Sequence, residues 1–328
     1  MPNRAAPLTV GIDLGGTQVR AGLVRHGQVL GRASRPTSVA GGPDAIIAQF
    51  EALVAEVTAG AEGRQLAGIG ISAPGPLDSS TGTVLGIPTL PGWEDFPLRD
   101  VMANRFGLPV VVENDGLAAA FGEWCFGAGR GASNLVYVTV STGIGGGVIA
   151  DGRLLRGRRG MAGHVGHMRI AAEGPRCPCG TIGCFEAFAS GTALSERARR
   201  AAARQPDSFL ARTARNEPID GRHVLAGARA GDPTCLALLA EEADYLAQGF
   251  ASLVHLFSPE LIIMGGGVSQ AFDLMEDRLI ERVRQDVMPP FRDVRIVEAT
   301  LGDNSGLVGA ATLAAQIGEP LPKPRNSV

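Results

Sequence analysis

Three of the five cysteines, Cys177, Cys179 and Cys184, fall within eight residues, and two histidines, His164 and His167, stand just upstream. Thiolates and an imidazole converging on one point are what tetrahedral Zn²⁺ takes, and a Cys₃His set is a closed, structural site. Pro178, Gly180 and Gly183 let the backbone bend tightly enough to gather the sulfurs. His167, nearer the cysteines, is the expected nitrogen ligand. The competing reading is a disulfide plus a stray thiol; the odd count and the Cys-x-Cys spacing argue against it. Glu186 follows Cys184 by two residues. Beside a metal-fixed loop its carboxylate could hold a small polar ligand. It could equally begin a helix running from Ala187, where a carboxylate suits the dipole.

A second constellation is Glu113-Asn114-Asp115, at the end of an apolar run. Polar side chains at the carboxyl end of a sheet sit where open α/β folds bind ligands. Asp115 could accept a proton from a hydroxyl, and Asn114 could both donate to and accept from hydroxyls. The alternative is that Asp115 caps the helix that follows, with Asn114 in its turn. Three glycine loops complete the candidates: LGGT at 14–17, STGIGGG at 141–147 and GGG at 265–267. Glycine lets backbone N–H groups approach a phosphate, and Thr or Ser hydroxyls add donors. None matches GxxxxGK[ST] or a dinucleotide GxGxxG. Two such hairpins facing each other, with a third glycine turn nearby, would clamp a nucleotide without a lysine.

These groups need strands to carry them. Residues 8–14 read as a short strand ending at Gly15-Gly16-Thr17, followed by strands at Gln18–Val24 and about Val29–Arg35. GIDLGGTQVRAGLV returns in altered form as YVTVSTGIGGGVIA at 137–150, which points to a duplicated α/β unit. Gly42-Pro43-Asp44 starts a helix with Ile46, Ile47, Phe50, Leu53, Val54 and Val57 at helical spacing. Strands at Leu66–Ser72 and Leu108–Val112 lead to APGPLD (73–78) and to Glu113-Asn114-Asp115. Small-residue helices are expected at 116–125 and 305–317, an Arg/Ala-rich helix at 194–204, a long helix at 232–257, and strands at Leu261–Met264 and Val294–Val297.

The chain has 328 residues, 45% hydrophobic and 19% charged, with a net charge of −3. Such a length suits two domains, and the charge suggests no broad attraction to nucleic acid or membrane. No apolar run is long enough for a membrane span and the start lacks a signal-peptide core, so a cytoplasmic, reducing setting is expected, which fits thiolate-bound zinc. Lys323, in a Pro-rich tail, is the only lysine. P-loop kinases, protein kinases and Schiff-base enzymes place a lysine on phosphate or substrate, so those classes are excluded.

Taken together, DLGGT (13–17), END (113–115), STGIGGG (141–147), GHVGHM (163–168), CPCGTIGCFE (177–186) and GGG (265–267) resemble the ROK family of sugar kinases and repressors, in the family's order, from about residue 8 to 317. The resemblance implies two RNase-H-like domains of the actin and hexokinase type, with ATP and sugar in the cleft. These are a small N-terminal α/β domain at 1–115, onto which a C-terminal helix at about 305–318 packs back, a large α/β domain at 116–304 with the zinc motif, and a tail at 319–328. It implies an ATP:hexose 6-phosphotransferase using ATP, Mg²⁺ and a structural Zn²⁺, active as a dimer or tetramer. Asp115 matches the catalytic base. Asn114 and Glu186 match sugar-binding positions, which Gly75 and Thr89 join, and His167 lies against the sugar besides binding zinc. Asp13 matches the residue that organises Mg²⁺. Gly15, Gly16, Thr17, Thr142, Gly143 and Gly266 fall in nucleotide-contacting loops.

One position departs from the family's glucokinases, which usually carry Glu-x-Gly-His. Here the glutamate is His164. A neutral imidazole has one donor and one acceptor and cannot accept two hydroxyl protons as a carboxylate does. His-x-Gly-His resembles the bacterial N-acetylmannosamine kinases, which makes that activity the alternative to glucokinase. The family's repressors place a winged helix-turn-helix of several dozen residues before the first hairpin. Here about seven residues precede it, so a regulator without a DNA-binding domain is the more remote reading.

Overall fold

A computed structural model describes residues 6–61, 65–87, 89–213 and 217–317. The contacts divide the chain into two units. Unit 1 holds residues up to Ser133, Gly147–Gly163 and Thr300 onward; unit 2 holds Asn134–Gly146 and His164–Ala299.

Unit 1 begins with β1 (Leu8–Leu14), β2 (Gln18–Arg25), β3 (Gln28–Pro36) and α1 (Gly42–Thr58), then β4 (Leu66–Ala73). A two-stranded hairpin, β5 (Leu77–Asp78) and β6 (Thr83–Val84), leads to α2 (Leu98–Phe106), β7 (Val110–Asn114) and α3 (Asp115–Phe126). The sheet order is β3-β2-β1-β4-β7, with β1, β2 and β3 antiparallel and β1, β4 and β7 parallel. The parallel strands are nearly unbroken apolar runs, as strands covered on both faces must be. Ile46, Ile47, Phe50, Leu53, Val54 and Val57 form the buried stripe of α1, which packs on β2 and β3.

The last helix of unit 1, Ser305–Ala315, lies against β1, β4 and α3. Its approach depends on missing side chains. A methyl on Gly70 would run into the Ala310 carbonyl, and one on Gly309 into the Ala118 carbonyl of α3. Glu123 of α3, wholly buried, closes the junction: its carboxylate accepts Leu301 N–H at 2.8 Å, Ser305 Oγ–H at 2.8 Å and Ala128 N–H at 2.9 Å.

The second sheet comprises β8 (Leu135–Val140), β9 (Ile144–Ala150), β10 (Arg153–Leu154), and two strands met later in the chain. Between them come α4 (Phe185–Ala189), α5 (Gly191–Arg204), α6 (Phe209–Thr213), α7 (Gly221–Arg229) and α8 (Pro233–Phe257). Then follow β11 (Leu261–Gly265), α9 (Phe272–Asp286), β12 (Arg295–Glu298) and the Ser305–Ala315 helix, α10. The order β10-β9-β8-β11-β12 repeats that of the first sheet strand for strand, as expected of a duplication. In unit 2, α8 is the central helix, packed by α4, α5, α7 and α9.

Strand and helix positions follow the sequence pattern closely, with two corrections. The boundary expected after Asp115 is not where contacts thin out, because α3 is made of small residues that pack on α10; α3 therefore belongs to unit 1, as does 147–163. The region after the cysteine cluster also holds α6 and α7, which the sequence reading did not assign. The expected tail, 319–328, lies outside the described residues, as does Lys323. No helix among the described residues is long and apolar enough to cross a membrane.

Candidate active site and metal centre

In unit 1 the parallel register sets Asp13 of β1 opposite Ser72 of β4. Ser72 Oγ–H donates to Asp13 Oδ1 at 2.8 Å, and Arg20 Nη1–H, from β2, to Oδ2 at 3.2 Å. Burial raises the Asp13 carboxyl above its ordinary range, against these hydrogen bonds. At the end of β7, Asn114 takes an extended conformation and its side chain accepts Gly116 N–H at 3.1 Å, which makes Asn114 the cap of α3. Asp115 is the first residue of that helix, with Oδ1 also accepting Gly116 N–H, at 2.8 Å. The expected alternative, Asp115 as the cap, is thus corrected: asparagine does that work. Burial pushes the Asp115 carboxyl up to about 6, with the Asp13 charge adding to the rise.

The LGGT loop is the β1–β2 turn, with Gly15 N–H donating to Gln18 O at 2.9 Å and Thr37 N–H to Thr17 O at 3.0 Å. Gly16 and Thr17 are exposed at its tip. Thr89, also exposed, is a neighbour: a Cβ on Gly16 would stand 3.5 Å from its Oγ1. Gly75 precedes a cis peptide bond to Pro76.

In unit 2 the ligand atoms of His167, Cys177, Cys179 and Cys184 all lie within 4.8 Å of one another. Cys179 and Cys184 Sγ are 3.7 Å apart, and Cys177 Sγ is 3.6 Å from His167 Nδ1. Ligands about 2.3 Å from a tetrahedral zinc would be separated by about 3.8 Å, which the two close pairs, at 3.7 and 3.6 Å, approach. The same distance is far too long for an S–S bond, which removes the disulfide alternative. The loop closes through Cys177 N–H to Thr181 O at 2.8 Å and Ile170 N–H to Gly183 O at 2.9 Å. Gly180 and Gly183 both take positive φ, at 93° and 84°, where a Cβ would be strained. A backbone hydrogen bond from Thr181 lowers the Cys179 thiol to about 7, and burial raises that of Cys177 to about 12.

Glu186 takes the helix-starting place that was the alternative to ligand binding. It sits in the first turn of α4, and its Oε2 accepts Ile144 N–H at 2.8 Å while Oε1 lies 3.7 Å from Cys177 Sγ. It thereby joins the metal loop to the glycine turn, where a methyl on Gly143 would collide with its carboxylate. Thr142 O accepts Thr192 Oγ–H at 2.7 Å, fastening that turn to α5. Gly266 takes φ 89° after β11, its Cα close against the Val140 backbone. His164 is exposed, with its ring centroid 6.3 Å from that of His167; burial and the neighbouring ring lower its pKa, favouring the neutral imidazole.

The structure thus gathers Asp13, Asn114, Asp115, the LGGT tip and Thr89 in unit 1, and the four metal donors, Glu186, Thr142 and Gly143 in unit 2. Sequence reasoning missed the side chains that hold them: Ser72, Arg20, Glu113 with Arg156, and Asp78 with Arg159. Only Ser72 had a legible signal, as the polar end of an otherwise apolar strand; its pairing with β1 appears only in the fold.

Comparison with known proteins agrees with this arrangement. The sequence model of the ROK family matches residues 9–317. The glucokinase of Thermotoga maritima is 38% identical over 307 residues, 93% of this chain and 96% of that protein. The N-acetylmannosamine kinase of Yersinia pseudotuberculosis is 34% identical over 304 residues, 92% and 97% of the two chains. The crystal structure of a ROK family glucokinase from Streptomyces griseus, in complex with glucose and AMPPNP, superposes with a TM-score of 0.85 at 39% identity, covering 94% of this chain and 99% of that one. With the family's motifs in order across nearly its whole length, the chain belongs to the ROK family.

Proposed function

We propose that the protein is an ATP-dependent sugar kinase of the glucokinase type, moving the γ-phosphoryl group of ATP to the 6-hydroxyl of a hexose. The observation that carries this is Asp115, a carboxyl pushed up to about 6 and spared the capping role by Asn114. The identity with glucokinases supports glucose as the substrate. Asp115 takes the proton of the C6 hydroxyl. That oxygen bonds to the γ-phosphorus as the bond from phosphorus to the bridging β–γ oxygen breaks, and ADP leaves with the electron pair. A base near neutrality is matched to this task. Amides of the LGGT and STGIGGG turns other than those of Gly15, Ser141 and Ile144, which bond within the protein, supply donors for phosphate oxygens, the work a lysine does elsewhere.

Asp13, held by Ser72 and Arg20, offers a hard carboxylate toward which Mg²⁺ would be organised, as the family resemblance implies, and leaves Asp115 to act as the base. Bound there with the nucleotide, Mg²⁺ would neutralise charge on the phosphates. His167, Cys177, Cys179 and Cys184 would hold a structural Zn²⁺, which fixes the loop that presents Glu186. The assignments of Asn114, Gly75, Thr89, His164, His167 and Glu186 to the sugar, and of Gly15, Gly16, Thr17, Thr142, Gly143 and Gly266 to the nucleotide, rest on the family resemblance. So does assembly into two or four copies.

An ADP-release assay with Mg-ATP over a panel of aldohexoses and N-acetylhexosamines tests the reading. Turnover on glucose is expected, and no ADP from any sugar overturns it. N-acetylmannosamine is the second candidate because His164 stands where a glutamate is usual. His164→Glu is expected to raise kcat/KM for glucose relative to N-acetylmannosamine by a factor equivalent to about 1–3 kcal/mol, since a carboxylate regains two charge-assisted acceptors. An unchanged ratio means His164 does not read the sugar.

A further inference from the structure

Glu113 is 1% exposed, and both of its oxygens are engaged within the protein. Oε1 accepts the N–H of the next residue, Asn114, at 3.1 Å, and Oε2 accepts Nε–H of Arg156 at 3.0 Å. Arg156 opens the loop after β10, and three residues on Arg159 pairs through Nε with Asp78, itself 4% exposed, at 3.1 Å. Ser79 N–H donates to Arg159 O at 3.0 Å. The segment 156–160 is therefore fastened to β5 and β7 by two buried carboxylates, around a pocket lined by Ser79, Ser80, Glu113, Arg156 and Arg159.

A buried ion pair contributes little net stability over a well-packed apolar pair. What Glu113 and Arg156 supply instead is direction. Asn114 is held on its N-terminal side by Glu113 and on its C-terminal side through its own side chain on Gly116 N–H, at 3.1 Å. Those two anchors set the backbone from which Asp115 projects. We propose that Glu113, clamped by Arg156, is a positioning residue that fixes Asn114 and Asp115 for proton transfer. The inference rests on the kinase reading of Asp115. A misplacement of about 1 Å at a reacting group can cost about 10²-fold in rate.

The test uses the full-length, zinc-replete protein with Mg-ATP and glucose. Wild type, Asp115→Asn, Glu113→Gln, Arg156→Ala, Arg156→Lys and the Glu113→Gln/Arg156→Ala double variant are compared. We expect kcat to fall about tenfold or more in Glu113→Gln and Arg156→Ala, with KM for Mg-ATP within about twofold. The double variant should be no worse than the weaker single, because both break one network. Arg156→Lys, which keeps a donor for Oε2, should recover most of the rate. Backbone hydrogen exchange across 113–117 should quicken in Arg156→Ala, a readout that does not depend on turnover. A kcat per folded molecule within about twofold of wild type in Arg156→Ala, or additive losses in the double variant, overturns the proposal. Unchanged exchange overturns it as well. Wild type without turnover on any sugar would instead remove the kinase reading, leaving exchange to decide the positioning.

Discussion

The role proposed for Asp115 depends on a division of labour between adjacent residues. Asn114 caps α3, so Asp115 need not, and burial beside Asp13 raises its carboxyl to about 6. A base must be ionised to work, so kcat/KM should fall as pH drops through about 6, provided ATP binding holds. Asp115→Asn should cut kcat by at least about 10²-fold with little change in sugar affinity. The same shift predicts a gain in stability. A carboxyl whose folded-state pKa is raised contributes stability below its unfolded value, near 3.8, and loses it as pH rises through about 6. The ionised Asp115 is therefore a cost at neutral pH, of about 1–2 kcal/mol after allowing for partial exposure. Asp115→Asn should melt higher than wild type at pH 7.5 and no higher at pH 4.5. Near-normal turnover with unchanged melting would return Asp115 to a purely local helical role.

At the scale of elements, two features carry distinct tests. The packing of α10 on β4 and α3 is made by backbones, and the methyl of Gly309→Ala would meet the Ala118 carbonyl. Neither backbone can yield without moving a helix, so the cost should be at least the about 1–3 kcal/mol typical of overpacking. Denaturant unfolding reads this directly, and a loss below 0.5 kcal/mol would mean that α10 shifts freely. The loop of His167, Cys177, Cys179 and Cys184 differs, since its four donors lie within 4.8 Å of one another and a bound zinc would hold it, as proposed above. Purified protein should contain about one equivalent of zinc by elemental analysis. Cys179→Ala or prolonged chelation should abolish sugar binding, because Glu186 loses the loop that orients it. Stoichiometrically metal-free protein that still binds sugar would refute this.

Across the whole molecule, what the sequence made legible was local. Period-two strands, the α1 stripe, glycine turns and a tight cysteine cluster each announce themselves within about twenty residues, and the repeated hairpin announced the duplication that both sheet orders display. What stayed hidden joins distant positions: Ser72 to Asp13, Arg156 to Glu113, and Glu123 to Leu301 and Ser305, separations of 59, 43, 178 and 182 residues. No periodicity reports such pairs; they exist only once strands are in register. Burial of carboxyls, which the sequence does not report either, sets the response to acid. Burial raises Asp13, Glu113, Asp115 and Glu242, the last two to about 6 and about 7, Glu242 despite its pairing with Arg197. Each binds protons more tightly folded than unfolded, so each stabilises below its unfolded pKa and loses that contribution as pH rises through its folded value. Asp78 and His164 have the opposite sign: the lowered pKa of Asp78 matters only in acid below the range in question, while that of His164 subtracts within it, one imidazole against two carboxyls raised into that range. With zinc in excess to keep the thiolates ligated, the melting temperature should therefore rise as pH is lowered from 7.5 to 6. The gain should be smaller in Asp115→Asn, which no longer titrates there. A melting temperature that is flat or falls over that interval would mean these carboxyls are better solvated than their burial implies.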